Sequence, residues 1–254
     1  MNLRAIALSS AFVVLAASIP AAADGFAVLP ECGAAVIVAL EPDDRLLAAD
    51  GRVVKPAAIR LPGAGDPLAE EAAASVRALL AGRAVTLRGG PDAPDRHGRT
   101  VAHLVRDDGL WVQAELLRLG WARLFPEPED APALPALLAA EREAQVAGRG
   151  LWGHPAYAVR TPARLEDAVG GWQVVRGKVL KAARVGERVY LNFGRDYRTD
   201  FTVEIESAEL KAFAAAGIEP LKLAGRHVEA RGLVEERNGP AIAIAVPVRL
   251  RLLD

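Results

Sequence analysis

A basic, glycine-containing turn, Asp95-Arg96-His97-Gly98-Arg99-Thr100, runs without a break into the apolar stretch Val101-Ala102-His103-Leu104-Val105. Polar glycine turns link strands, so the chain must reverse here between extended segments. Arg99 then starts a strand, where its guanidinium can grip a phosphate through two parallel hydrogen bonds. A plain solvated hairpin loop fits the same residues. Upstream, 34–40 is a short apolar run, and 45–48 and 52–55 flank Asp50-Gly51, a pair that favours a two-residue hairpin turn. Over 67–81 the apolar residues recur at helical spacing, with Glu70 and Glu71 in the first turn and Gly82 beyond the last. With 84–88 and 100–105 this predicts five short strands wrapped by helices, the order of a small OB-type barrel.

Further on come Gly109-Leu110-Trp111-Val112-Gln113-Ala114-Glu115-Leu116-Leu117-Arg118-Leu119-Gly120-Trp121-Ala122, then Glu141-Arg142-Glu143-Ala144-Gln145, then Gly150-Leu151-Trp152. In this order, behind the Asp95–Arg99 turn, these residues resemble the staphylococcal nuclease (thermonuclease-like) family over about 34–154. The resemblance implies an α+β fold, mainly β, whose first barrel carries the helices of the staphylococcal nuclease fold. It also implies calcium-assisted phosphodiester hydrolysis. In that chemistry two Asp carboxylates hold the ion, a Glu acts on the attacking water, and two Arg neutralise the charge on the phosphoryl oxygens.

Carried over position by position, Asp44 falls on the first metal-ligand position and Arg99 on one of the two phosphate arginines. Lys55 stands where the other arginine belongs, Arg60 replaces the second metal Asp, and Gly63 replaces the Glu. Lysine keeps the charge but loses the bidentate fork. An arginine at a cation site repels the cation, and loss of a general base alone costs about 10²–10⁴ in rate. Asp66 and Glu70 lie just downstream, near enough to be considered as substitutes, but their place at a helix start predicts solvent exposure or capping. The expectation is therefore a pseudoenzyme with no cofactor, and Ca²⁺ only if the family activity is retained.

Residues 1–23 read as an export signal, with Arg4 ahead of an apolar run over 5–17 and small residues at Ala21-Ala22-Ala23. The run is shorter than the roughly 20 residues a membrane span needs, so the mature chain is expected to start near Asp24 in the periplasm or outside the cell, with no transmembrane segment. A single cysteine, Cys32, excludes an intramolecular disulfide. It reads as a half-buried thiol, either inert or bridging to another molecule.

Acidic residues outnumber basic ones over 24–154, which disfavours a polyanion by simple repulsion. A local cluster of Lys55, Arg60, Arg96 and Arg99 can still line one cleft wall, or be a scatter of solvated charges. His97 beside that cluster offers a ring for stacking on a base, whereas His103 on its apolar strand reads as a core or hairpin residue. The four histidines show no metal-site spacing.

Pro and small residues over 155–169 read as a linker. A second set of strands follows, at 172–180, 189–194, 201–205, 226–235 and 241–245, with a helix over 206–216. That order predicts a second OB-like barrel at 170–254, so the whole reads as two small OB-type barrels in tandem. This half is mildly basic, and Tyr190, Phe193 and Tyr197 beside Arg195 and Arg198 are candidates for a stacking and phosphate-contacting face. Tyr190 and Phe193 also suit a core. The function expected is a catalytically impaired module binding single-stranded nucleic acid, another anion or a protein. The alternatives are a weak calcium-dependent nuclease and a structural envelope interaction protein.

Overall fold

The computed structural model describes residues 25–41, 44–90, 93–163, 165–196 and 198–253, so the expected export signal at 1–23 and the ring of Tyr197 lie outside it. The first half contains β1 (Glu31–Glu41), β2 (Arg45–Ala48), β3 (Val53–Pro56), β4 (Ile59–Arg60), α1 (Ala69–Leu80), β5 (Arg83–Arg88), β6 (Thr100–Arg106), α2 (Val112–Leu119), β7 (Arg123–Leu124) and α3 (Leu134–Ala147). β1 alternates, burying Ala35 and Ile37 while Val36 and Val38 face out. It pairs antiparallel with both β2 and β5, shifting register between Ile37 and Ala39, so a single strand serves two neighbours. The sheet closes as a barrel in the order β1-β2-β3-β6-β5, with β3 and β6 parallel. Ile37, Leu46, Val54, Leu87 and Leu104 fill it.

The helices follow from the same patterning. α1 buries Ala72, Val76 and Leu80, four residues apart on one face. α2 ends at Gly120, whose φ of 79° is open to glycine. A side chain there would also strike the Arg149 carbonyl, because the Leu151 amide donates to the Gly120 carbonyl at 2.8 Å. The Gly150-Leu151-Trp152 signature is thus the seam between the ends of α2 and α3. His103 is fully buried, as its apolar strand predicts, and its Nε2 lies 3.0 Å from Asp130 Oδ1.

The second half contains β8 (Trp172–Lys178), β9 (Lys181–Val185), β10 (Arg188–Asn192), β11 (Thr202–Glu206), α4 (Leu210–Ala215), β12 (His227–Leu233), β13 (Glu235–Glu236), β14 (Pro240–Ala243) and β15 (Leu250–Leu252). The expected strands and short helix are there, but their ladder does not close as the first one does. β13-β14-β11-β10-β9 form one sheet and β15-β12-β8 another, around a core that includes Val175, Leu191, Val203, Phe213, Val228 and Ile242. The expected linker is packed: Tyr157 and Leu165 are buried, and Arg160 bridges to β8 through backbone bonds with Val174 and Arg176.

The two halves meet through a buried charge network. Arg231 on β12 pairs with Glu141 on α3 at 2.6 Å and with Glu229 at 2.7 Å, all three nearly inaccessible. Glu229 also binds Arg176 and Arg251, and Glu141 accepts the Leu124 amide. Burial works against the ionised Glu229, but the three guanidinium groups outweigh it and hold its carboxyl at about 2. Cys32, expected half-buried, is exposed at the barrel's edge, where its thiol donates to the Gly89 carbonyl. Among the described residues no helix is long and apolar enough to cross a membrane.

Candidate functional site

The Asp95–Arg99 turn is organised by Asp95. Its Oδ1 accepts the amides of His97 and Arg99, and its Oδ2 takes the Arg99 guanidinium at 2.7–2.8 Å. Partial burial opposes ionisation, yet Arg99 and the two amides hold the Asp95 carboxyl at about 2. Arg99 is thereby an ion-pair partner inside its own turn. Arg96 and His97 are exposed beside it and hydrogen-bond to one another.

Lys55 on β3 opens into a groove of about 210 Å³ that also contains Asp95, Phe125, Glu127, Glu129 and Asp130. Carboxylates dominate this wall, so the expected cationic pair of Lys55 and Arg99 is offset by acidic neighbours. Burial raises the Glu127 carboxyl, with Arg249 acting against it.

Asp44 takes up a left-handed backbone, φ 59°, which Asp tolerates better than most residues. Its Oδ2 accepts the Leu61 amide at 3.3 Å, which brings it beside the segment carrying Arg60. The two carboxylates sharing its groove are engaged, Glu41 with Arg45 at 3.1 Å and Glu70 with Arg77. At Gly63, Asp66 Oδ2 accepts the backbone amide at 2.8 Å. Asp66 and Glu70, the two possible substitutes, are thus bound locally. Among the described residues no group of three or more His, Cys, Asp or Glu is placed to hold a metal ion. The donors around Asp44 do not fit a calcium ion, which takes six to eight oxygens.

Arg60 lies elsewhere in effect. On the two-residue β4–β7 ladder it pairs with Arg123, and both open into a cleft of about 660 Å³ between the two halves of the chain. Arg160 and Arg249 also line it, against the carboxylates of Asp66 and Asp167. Arg160 reaches Asp167 at 3.3 Å, and Arg249 pairs with Glu127 while lying over the Phe125 and Trp172 rings at 4.5 and 5.3 Å. Arg123 donates to the Trp172 carbonyl at 2.8 Å and lies over Tyr157. Burial lowers the Arg123 guanidinium to about 10, and the positive charge of Arg60 acts in the same direction. Of these residues only Arg60 and Asp66 stand out in the sequence. Arg123, Arg160, Trp172, Gln173 and Arg249 come from four separate segments, and no spacing joins them.

In the second half the expected face splits up. Phe193 is buried and packs against Phe201 at 4.9 Å, while Tyr190 is half-buried on β10. Arg195 and Arg198 are exposed on a turn whose Asp196 accepts the Arg198 amide, so acidic neighbours accompany them.

No curated protein matches this chain. The family model described as Staphylococcal nuclease homologue matches residues 52–154, a span that runs from β3 through α3 to the Gly150–Gly153 seam and contains Lys55, Arg60, Gly63 and Arg99. The match, together with the barrel and the three helices around it, makes residues 52–154 a segment similar to staphylococcal nuclease homologues.

Proposed function

We propose that the protein is an exported binding module for single-stranded nucleic acid or another phosphate-bearing anion, built on a nuclease-like domain that no longer hydrolyses phosphodiesters. The observation carrying this reading is the pair of exchanges at the cation and base positions, Arg60 and Gly63. By position in the sequence, the first replaces a carboxylate that would help hold a cation, and the second removes the carboxylate that would act on water. Residues 24–154 and 170–254 are read as two domains joined through 155–169. Export rests on the N-terminal sequence alone.

The test is cleavage of single-stranded DNA and RNA by the mature chain, with calcium and with chelator, beside an Arg99→Ala variant. The expected result is no cleavage in either condition, together with binding whose affinity falls linearly with salt on logarithmic axes, as counterion release requires. Calcium-dependent cleavage lost in Arg99→Ala overturns the reading.

A further inference from the structure

Register sets Arg176, Glu229 and Arg251 side by side across β8, β12 and β15, while the next register row, Val175, Ala230 and Leu250, points into the core of the second half. Arg231, two residues on from Glu229 and therefore on the same face, reaches Glu141 of α3. Three guanidinium groups thus share two carboxylates, and the network keeps one surplus positive charge. Unlike Arg231, the side chains of Arg176 and Arg251 are 38% exposed, and the Nη1 of each makes no hydrogen bond among the described residues. Arg142, beside Glu141 on α3, adds an exposed cation that enters no ion pair among the described residues.

These arginines open into a groove of about 500 Å³ between α3 and the sheet, within the range of about 300–1,000 Å³ usual for small-molecule sites. Glu141 is the one carboxylate on its lining among the described residues, and Arg231 already holds it. The rest of the lining is largely apolar. Val146 is 81% and Leu253 41% exposed there, with Val159 and Leu252 half-buried beside them. Aliphatic side chains left in water next to accessible guanidinium groups select a ligand that is apolar along its length and anionic at one end. A carboxylate is planar, meets a guanidinium through two parallel hydrogen bonds and carries the single charge that the network lacks. A phosphate monoester carries about −1.5 to −2 at pH 7, more than that surplus.

We propose that the groove between α3 and the β8-β12-β15 sheet binds a small aliphatic carboxylate, of the fatty-acid class, with Arg176 and Arg251 on the carboxylate and the alkyl chain along Val146, Val159 and Leu253. The site lies on other elements than the Lys55 groove and the Arg60 cleft and takes another class of ligand, so it does not depend on the nucleic-acid reading above. Because α3 belongs to the first half and the sheet to the second, a bound ligand touches both.

Titration calorimetry on the mature chain tests it with octanoate, beside acetate, octanol, octylammonium and inorganic phosphate. Arg251→Gln removes one cation while Arg176 and Arg231 still hold Glu229. Val146→Glu places a negative charge at an exposed position on the groove, and Arg184→Glu changes the charge at an exposed position outside it. The expected result is that octanoate binds, acetate and octanol bind about tenfold or more weakly, and octylammonium does not bind. Arg251→Gln and Val146→Glu should each weaken octanoate about tenfold or more, with Arg184→Glu unchanged. Octanol or inorganic phosphate binding as tightly as octanoate overturns the proposal, as does equal octanoate affinity in Arg251→Gln and Val146→Glu or no binding of octanoate at all. A single-stranded oligonucleotide that displaces octanoate assigns the groove to nucleic acid and overturns it too.

Discussion

Arg60 and Arg123 face one another on the two-residue ladder that ties the segment after the barrel's third strand to the segment after α2. An opposed like-charge pair destabilises a sheet, whereas an opposite-charge pair contributes about 0.2–1 kcal/mol. Arg60→Asp is therefore expected to stabilise the free protein, raising its thermal midpoint by a few degrees, since about 1 kcal/mol corresponds to about 2–4 °C in a chain of this size. A lowered midpoint in a thermal melt is the result that contradicts the strain argument.

Asp44 accepts the Leu61 amide, so the backbone at position 60 lies one residue from it, although the side chain there opens into the cleft with Arg123. The double variant Arg60→Asp, Gly63→Glu should gain calcium affinity that the natural chain lacks. Calorimetry showing no heat of calcium binding in the double variant means that these positions do not correspond to the family's acids.

Arg231 is the centre of the contact between the halves. Its replacement by Met leaves Glu141 and Glu229 facing each other in the interior, although Arg176 and Arg251 still hold Glu229. Removing one partner of a buried ion pair costs about 3–5 kcal/mol, so the urea midpoint of Arg231→Met should fall sharply. Arg184→Met, an exposed residue with Glu187 at 3.9 Å and a long bond to the Gly186 carbonyl, should leave it within error.

Acid should unfold the protein through two identifiable carboxylates. Asp95 and Glu229 are held at about 2 in the folded chain, below their ordinary values of 3.8 and 4.5. A depressed carboxyl provides stability that is complete above its unfolded value and lost as pH falls through the folded one. Stability should therefore decline between about pH 4.5 and 2. Asp95→Asn should be less stable at pH 7 and show a shallower decline, measured by denaturant midpoints across that range.

At the α2–α3 seam, Gly120 combines φ 79° with an Arg149 carbonyl 2.2 Å from where a Cβ would stand. Alanine there must both adopt a strained backbone and push the seam open. A loss exceeding about 1 kcal/mol is expected, while Gly148→Ala, with φ 60° but open space around it, should lose less.

The linear pattern determined what is local. Strand alternation in β1, the 72–76–80 stripe of α1, the Asp50-Gly51 hairpin and the Gly120 helix end are set by neighbours within a few residues, and each is readable from side-chain period or turn chemistry. The exchanges at 55, 60 and 63 are visible in the same way, because a family's acids are compared by place in the chain. Long-range pairing decided the rest. The β4–β7 ladder brings Arg60 to Arg123 across more than sixty residues, and the second half splits its strands between two sheets instead of closing one ladder. The cleft itself depends on Trp172, Gln173 and Arg249 from the second half meeting Arg60 and Arg123 from the first. Charge and burial act through space, so residues distant in sequence acquire a shared electrostatic environment only once the chain has packed.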